Sequence, residues 1–541
     1  MKKITLIGLS VLSGVLLSLA WTQWMSGLIL LIAFIPLLFV EKYLYENRNK
    51  FHSFQMFKYA YLAFFVWNLI STWWIYYSTL FGVISAVLYN SLLMSLVFWI
   101  FHIVKCKMGQ QYGFFGLIIF WLSFEFIHFN WELSWTWLNL GNGFAKNISL
   151  IQWYEYTGVL GGSFWVLISN ISIYSLIINL RKRVIDRKVV FQIGLLIMII
   201  CVPIVFSQII FHSYLEKTDS INVVVLQPNV DPYNEKFDGL SSKQQLEILL
   251  NLADSLGDEN TDYFVAPETA LANGMWESQL AKYKAIKTIK EFLKKYPKAK
   301  FITGITSYKK YEEGEKLSTT VRQSKGFDGY YDVFNTAIQL DSSEIIQKYH
   351  KSKLVPGVEK MPLPHIFKFI EKLALDLGGT TGSLGKQADR GTFYSVNDET
   401  IIAPVICYES IFGEFVNGYI KNKANFIFVV TNDGWWGNTP GHRQHLTYSQ
   451  LRAIETRRSI ARSANTGISC FINQKGEVFQ PTDYWVRTAI KGTINSNNTI
   501  TYYVENGNFI GRIAAFFSVL ILLIFLVDVF IRKKNNSVNS L

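Results

Sequence analysis

Ile401-Ile402-Ala403-Pro404-Val405-Ile406-Cys407-Tyr408-Glu409-Ser410 is a run of apolar, strand-like residues that ends on a thiol, with a carboxylate and a helix-compatible segment directly behind it. The pattern places a sulfur at a strand-to-helix turn. The first free amides of a helix starting there, and its dipole, would favour thiolate over thiol. Free cysteine is also among the most buried residue types. Cys407 on its own therefore reads either as a nucleophile or as an inert strand-end thiol.

Working outward, the segment 221–500 alternates short β-rich runs with helical patterns. Strands are expected at Ile221–Gln227, Asp262–Ala266, Lys300–Thr306, Phe334–Leu340, Ile401–Ile406, Asn425–Thr431 and Gly467–Asn473. Helical patterns lie at about 241–256, 277–295, 411–421 and 441–463. Alternation of this kind is that of a layered α/β domain large enough to bury its own core.

Two further stretches of this domain carry chemistry. Tyr263-Phe264-Val265-Ala266-Pro267-Glu268-Thr269-Ala270 is a strand that ends at a carboxylate, which also fits an acid in the first turn of a helix. Lys348-Tyr349-His350-Lys351-Ser352-Lys353-Leu354-Val355-Pro356-Gly357-Val358-Glu359 holds lysines that also suit a solvated surface. Taken in the order Glu268, Lys351, Cys407, the three supply what acyl transfer through a thioester needs. A carboxylate takes the thiol proton, the thiolate attacks a carbonyl, and an ammonium stabilises the oxyanion. The residues lie too far apart to meet locally, so the fold must assemble them.

The rest of the chain is of another kind. Over 541 residues it is 50% hydrophobic and 16% aromatic with only 17% charge, more apolar and less charged than a soluble average. Apolar runs fall at about 4–20, 27–40, 58–76, 81–104, 113–129, 158–180, 190–211 and 511–531; most reach the ~20 residues that cross a bilayer, while 27–40 needs its flanks. The first run lacks a clear cleavage site and reads as a retained span. With the N-terminus inside, the inner loops hold Lys2, Lys3, Lys42, Arg48, Lys50, Lys58, Lys105, Lys107, Arg181, Lys182, Arg183, Arg187, Lys188, Arg532, Lys533 and Lys534, and the short outer loops only Lys146. By the positive-inside rule both termini are cytoplasmic and the large segment faces the far side. The expected division is 1–211 with seven spans, 212–510 as the catalytic domain, and 511–541 as the eighth span with a cytoplasmic tail. The net charge of +12 follows this topology, so a nucleic-acid partner is not expected.

Pro267-Glu268, Lys351 within Tyr-x-Lys-x-x-Leu-Val-Pro, Cys407-Tyr408-Glu409 and Thr431-Asn432-Asp433-Gly434-Trp435-Trp436-Gly437 resemble the nitrilase superfamily of carbon–nitrogen hydrolases. With seven spans before and one after, the whole chain resembles the apolipoprotein N-acyltransferase branch of that superfamily, found in the bacterial inner membrane. The resemblance implies an α-helical membrane domain of eight spans with a soluble α/β, nitrilase-like α-β-β-α sandwich on the periplasmic side. It implies a ping-pong acyltransferase without a metal or other cofactor. Its acyl donor would be a phospholipid, typically phosphatidylethanolamine, and its acceptor the α-amino group of a diacylglyceryl-cysteine at a lipoprotein N-terminus. By residue it implies Glu268 as general base, Lys351 as oxyanion stabiliser and Cys407 as nucleophile, supported by Glu359, Tyr408 and Glu409. Two stretches depart from the family pattern. Lys353-Leu354-Val355-Pro356-Gly357-Val358-Glu359 replaces His-Leu-Val-Pro-Phe-Gly-Glu, and Phe237 stands where a Trp is common.

Other features admit simpler readings. A membrane-tethered amidase hydrolysing a small amide would use the same triad, although it has no need of eight spans. A disulfide between Cys407 and Cys470 would consume the nucleophile. His442 and His445 read as the start of a helix rather than a metal site, lacking a zinc-helix pattern. Gly378–Gln387 reads as a flexible loop that could cover the site. Glu125 is either a functional group inside a span or a residue near the outer interface. Trp276 and Trp435-Trp436 read as a lipid-facing rim or, as large aromatics mostly are, as core.

Overall fold

The computed structural model describes residues 1–181, 186–236, 239–360, 383–395 and 399–538, the side chains of 529–530 and 532–538 aside. Phe237, Lys182, Arg183 and the first part of the Gly378–Gln387 loop lie outside the described residues, as do the side chains of Arg532, Lys533 and Lys534. The chain divides into two compact units. One comprises Met1–Trp73, Val83–His212 and Asn506–Leu541, the other Trp74–Gly82 and Ser213–Glu505.

The first unit is helical. Helix covers each of the eight apolar runs, and among the described residues five stretches are long and apolar enough to cross a membrane: Gly27–Glu46, Leu80–Met108, Val159–Leu180, Arg187–Ser213 and Phe509–Asp528. Lys3–Leu19 is shorter, at 17 residues. Phe54–Thr72 and Gln110–His128 have 19 residues each and carry the buried polar groups Asn68 and Glu125. Asn68 accepts from Asn90 Nδ2 at 2.8 Å. Glu125 accepts from Trp121 Nε1 at 3.0 Å, Leu140 N at 2.8 Å and Ser163 Oγ at 2.5 Å. These donors satisfy the carboxyl group, so Glu125 ties the irregular stretch beginning at Leu140 to two helices and has no need of an interface with water. Glu41 is treated alike, held by His102 Nδ1 at 2.9 Å and by the Lys105 ammonium.

The second unit is built on two sheets. In chain order the strands are β1 (Ser220–Gln227), β2 (Tyr263–Val265), β3 (Leu271–Trp276), β4 (Lys300–Lys310), β5 (Arg322–Gln323), β6 (Tyr330–Leu340), β7 (Gln347–His350), β8 (Phe393–Tyr394), β9 (Ile401–Ile406), β10 (Phe426–Thr431), β11 (Ile460–Ala464), β12 (Cys470–Ile472), β13 (Val478–Phe479) and β14 (Thr488–Asn495). The first sheet runs β14-β1-β2-β4-β6-β5, with β3 on β4 and β7 on β6; the second runs β13-β12-β11-β10-β9-β8. Alternation along β2 shows how the layers form, because successive strand side chains point to opposite faces. Phe264 points outward into Phe292 and Tyr296, beside helix Lys284–Leu293. Its neighbour Tyr263 points inward, edge-on to Phe428 of the second sheet at 5.2 Å. Leu246, Leu249 and Ala253 of helix Ser242–Leu256 complete the outer core. Helices Gly413–Lys421 and Pro440–Thr456 pack on the second sheet. The order of layers is α-β-β-α.

The helix expected at 441–463 ends at Thr456, where Arg457 turns left-handed with φ 50°, and Ile460–Ala464 is a strand. The buried Arg462 breaks the apolar run there, which hides the strand from a hydrophobic pattern. The pattern at 277–295 is a 3₁₀ turn, Glu277–Lys282, followed by the helix Lys284–Leu293. Four cysteines are free thiols, so Cys407 and Cys470 are not paired. Trp435 and Trp436 are half-buried, belonging neither to the core nor to an open surface, with Tyr233 against Trp435 at 5.2 Å and Trp74 against Trp436 at 4.9 Å.

Candidate active site

The parallel neighbours β1-β2-β4 and β9-β10-β11 end on one edge, and the chemistry gathers at their C-terminal ends, where open α/β sheets bind ligands. β2 leads through Pro267 to Glu268, β9 stops at Cys407, and β10 leads to Asn432 and Asp433. Lys351 follows β7 and is fixed by its backbone N–H, which donates to Asn335 O at 2.8 Å.

Lys351 Nζ donates to Glu268 Oε1 at 2.9 Å and to Glu359 Oε1 at 2.8 Å. An ammonium has three N–H donors, so two carboxylates leave one for a third acceptor. Asn335 Nδ2 repeats the bridge, donating to Glu268 Oε1 at 2.7 Å and Glu359 Oε1 at 3.1 Å. Asn432 N donates to Glu268 Oε2 at 3.1 Å, and Val355 N to Glu359 Oε2 at 2.9 Å. The altered loop Val355–Glu359 still delivers its carboxylate. Gly357 takes φ 81°, a conformation glycine adopts freely, and the turn closes where the family has a different order of residues.

Electrostatics sets the resting protonation states. Burial disfavours charge on Glu268, but Lys351 and the Asn335 hydrogen bond outweigh it and hold the carboxyl below its ordinary range. Burial likewise disfavours the Lys351 ammonium, and the two carboxylates overcome this and raise it well above the usual lysine range. Cys407 behaves differently from the expected helix-end thiolate. Burial and the Glu268 charge push the thiol up, against the pull of Lys351. The turn after β9 is only a five-residue 3₁₀ segment, Cys407–Ile411, so its amides and dipole are too few to offset burial. The site rests as thiol, carboxylate and ammonium, and the thiol proton has a base waiting.

Cys407 sits at φ 49°, left-handed, which is rare for a residue with a side chain and marks a held, strained position. Two sets of contacts hold it. Glu409 Oε2 accepts from Ile406 N at 2.9 Å, while Oε1 accepts from Ser352 N at 2.6 Å and Tyr349 Oη at 2.7 Å. Glu409 therefore ties the nucleophile's turn to the segment that carries Lys351, beyond any capping role. On the other side, His445 Nε2 lies 3.2 Å from Cys407 O and 3.0 Å from Ser410 Oγ, and its Nδ1 lies 2.9 Å from Asp433 Oδ1. Arg462 Nη2 donates to Asp433 Oδ2 at 2.6 Å. Tyr408 is buried against Phe412 at 5.2 Å.

The structure thus joins Glu268 and Glu359 through Lys351, places the Glu268 and Lys351 charges where they act on Cys407, and sets Glu409 behind the nucleophile's turn. Asn335 and Lys236 are additional. Asn335 has no signal in sequence, being one polar residue inside a strand. His445 was visible only as a helix-start histidine.

Residues 13–172 match the model of the apolipoprotein N-acyltransferase N-terminal domain, and residues 240–503 match that of the carbon–nitrogen hydrolases. Apolipoprotein N-acyltransferase of Chlorobaculum tepidum is 27% identical over 518 residues, 93% of this chain and 93% of that protein. Over nearly its whole length the chain is similar to apolipoprotein N-acyltransferases. Members from Thermotoga maritima and Rickettsia prowazekii, 27% and 28% identical, extend over 98% and 92% of the chain and 95% of each relative. Helical unit and hydrolase-type unit are therefore matched together, as one family arrangement.

Proposed function

We propose that the protein transfers a fatty acyl chain from a phospholipid to the α-amino group of an N-terminal diacylglyceryl-cysteine, through a thioester on Cys407. The observation that carries this reading is the Lys351 ammonium, bridged between Glu268 and Glu359 beside a neutral thiol, in a chain whose relatives are apolipoprotein N-acyltransferases.

In the first half-reaction Glu268 takes the thiol proton as Sγ attacks the ester carbonyl. The remaining N–H of Lys351 stabilises the oxyanion. Collapse breaks the ester C–O bond, and the leaving alkoxide takes the proton from Glu268, so the lysophospholipid departs as an alcohol and Glu268 is again a carboxylate. In the second, the neutral amine attacks the thioester and Glu268 takes its proton. Collapse then expels the Cys407 thiolate, which is reprotonated from Glu268. Glu359 supports Lys351 throughout by sharing its charge.

The protein is a membrane protein, and we place all eight helices across the bilayer with both termini cytoplasmic and 212–510 as a periplasmic catalytic domain. Sixteen inner-loop cations against one outer support this topology. Extracting acyl chains costs about 0.8 kcal/mol per CH₂, which favours a catalytic domain joined to spans at both of its ends. Phosphatidylethanolamine is the proposed donor.

A purified preparation supplied with phosphatidylethanolamine and a diacylated lipopeptide tests the reading. N-acylated lipopeptide together with lysophospholipid is the expected product. Hydrolysis to free fatty acid, with the lipopeptide unchanged, would instead identify a tethered hydrolase.

A further inference from the structure

A second buried lysine stands behind the proposed base. Lys236, in the loop after β1, is 8% exposed and donates from Nζ to Thr269 Oγ1 at 2.5 Å. Its carbonyl accepts from Gln245 Nε2 at 2.8 Å, which fixes the loop on helix Ser242–Leu256. Lys236, Glu268 and Thr269 line one cavity of about 10 Å³, room for little more than one water. Among the described residues the Lys236 ammonium meets a neutral hydroxyl but no carboxylate within ion-pair distance. A buried cation left in this way is costly unless a nearby negative charge compensates it.

Thr269 carries the second observation. It is β-branched yet adopts φ 48°, a conformation such residues rarely take. Gly304 on β4 makes room for this turn, since a Cβ there would lie 2.2 Å from Thr269 N and 2.8 Å from Glu268 Cα. The strained turn aims Glu268 into the site, and the lysine grips the residue that bears the strain.

We propose that Lys236 is a positioning residue for the reaction: its ammonium anchors Thr269 in the strained turn and supplies a second positive charge that keeps Glu268 ionised and ready to accept the thiol proton. The proposal rests on Glu268 being the base. The charged and titratable groups facing Glu268 are Lys351 after β7, Cys407 after β9 and Lys236 after β1, with Glu359 beyond Lys351. Burial lowers Lys236 to about 8, against the pull of Glu268. The lysine is therefore about half charged near pH 8 and gains its full charge as pH falls below that, the range in which Glu268 must stay ionised.

The test is the pH profile of Cys407 alkylation by iodoacetamide in the full-length protein in detergent, a readout that needs neither donor nor acceptor. With Glu268 as base, the rate holds a plateau through neutral pH and falls on an acid limb as the carboxylate protonates. Lys236→Met is expected to move that limb up by about one pH unit, the size of a neighbouring-charge effect. Lys236→Arg keeps the charge and is expected to leave the limb near its wild-type position. A limb unmoved in Lys236→Met, or moved equally in Lys236→Arg, would overturn the proposal. Glu268→Gln separates the two claims. It should abolish the plateau, and a plateau that survives it would refute the base itself and the role of Lys236 with it. Retained alkylation at high pH shows that each variant presents a folded, accessible Cys407.

Discussion

Replacing Lys351 by methionine tests the charge arrangement from the side of stability. The side chain is 1% exposed, and its ammonium is the only cation in hydrogen-bonding contact with Glu268 and Glu359 among the described residues. Methionine fills much the same volume, so packing changes little while the buried Glu268 and the partly buried Glu359 lose their shared partner. Removing one member of a buried ion pair typically costs 3–5 kcal/mol. At 2–4 °C per kcal/mol for a domain of this size, the melting temperature should fall by roughly 6–20 °C at pH 7. The sign of the pH dependence is fixed. In the wild type Glu268 is held below its unfolded value, so its contribution is present above that value and is lost as pH falls. In the variant, burial without the Lys351 charge raises the Glu268 carboxyl instead, so the folded state binds more protons than the unfolded chain. The gap between wild type and variant should be widest at pH 7 and shrink towards pH 4–5. Thermal unfolding in detergent across pH 4–8 measures it, and acylation should fall by about 10²–10³-fold, the usual loss for one oxyanion donor. Equal stability at pH 7, or a gap that does not narrow with acid, would refute the arrangement.

Further outcomes follow from the same contacts. Gly304→Ala forces a Cβ against Thr269 N, so it should destabilise by about 1–3 kcal/mol and lower the acylation rate by about 10²-fold through displacement of Glu268, with the melting curve and single-turnover rates as the measure. His445→Leu removes the group beside the Cys407 carbonyl and one of the partners of Asp433, which keeps Arg462; single-turnover kinetics should show acylation slowed by about 5–150-fold, the equivalent of one lost buried hydrogen-bond partner. Glu409→Leu leaves Ile406 N, Ser352 N and Tyr349 Oη without their acceptor, and at about 1–3 kcal/mol each should prevent stable folding, visible as lost yield or early unfolding, whereas Glu409→Gln should retain part of both stability and rate.

Much of this was legible in the sequence because the reacting residues sit in short motifs at strand ends. Pro267-Glu268, Lys351 and Cys407-Tyr408-Glu409 are each adjacent to a readable apolar run, and the α/β layering follows from those runs. What was not legible depends on distant contacts. Asn335 is one polar residue in the middle of β6 whose partners lie 67 and 24 positions away. β11 was hidden because Arg462 points into a buried charge network instead of an apolar face. The protonation state of Cys407 is not legible locally: turn geometry favours thiolate, while burial and the charge of Glu268, delivered from another strand, favour the thiol. Left-handed Cys407 and Thr269 give no sequence signal, since neither is glycine or asparagine.

A thioester on Cys407 is the intermediate on which both half-reactions depend. The purified protein, incubated with phosphatidylethanolamine and no acceptor, should carry one fatty acyl group in place of a hydrogen on the peptide containing Cys407, seen by peptide mass spectrometry. The adduct should be discharged by hydroxylamine or by a diacylated lipopeptide, and be absent in Cys407→Ala. An unmodified Cys407 in active wild-type protein, or the same adduct in Cys407→Ala on another residue, would contradict the account.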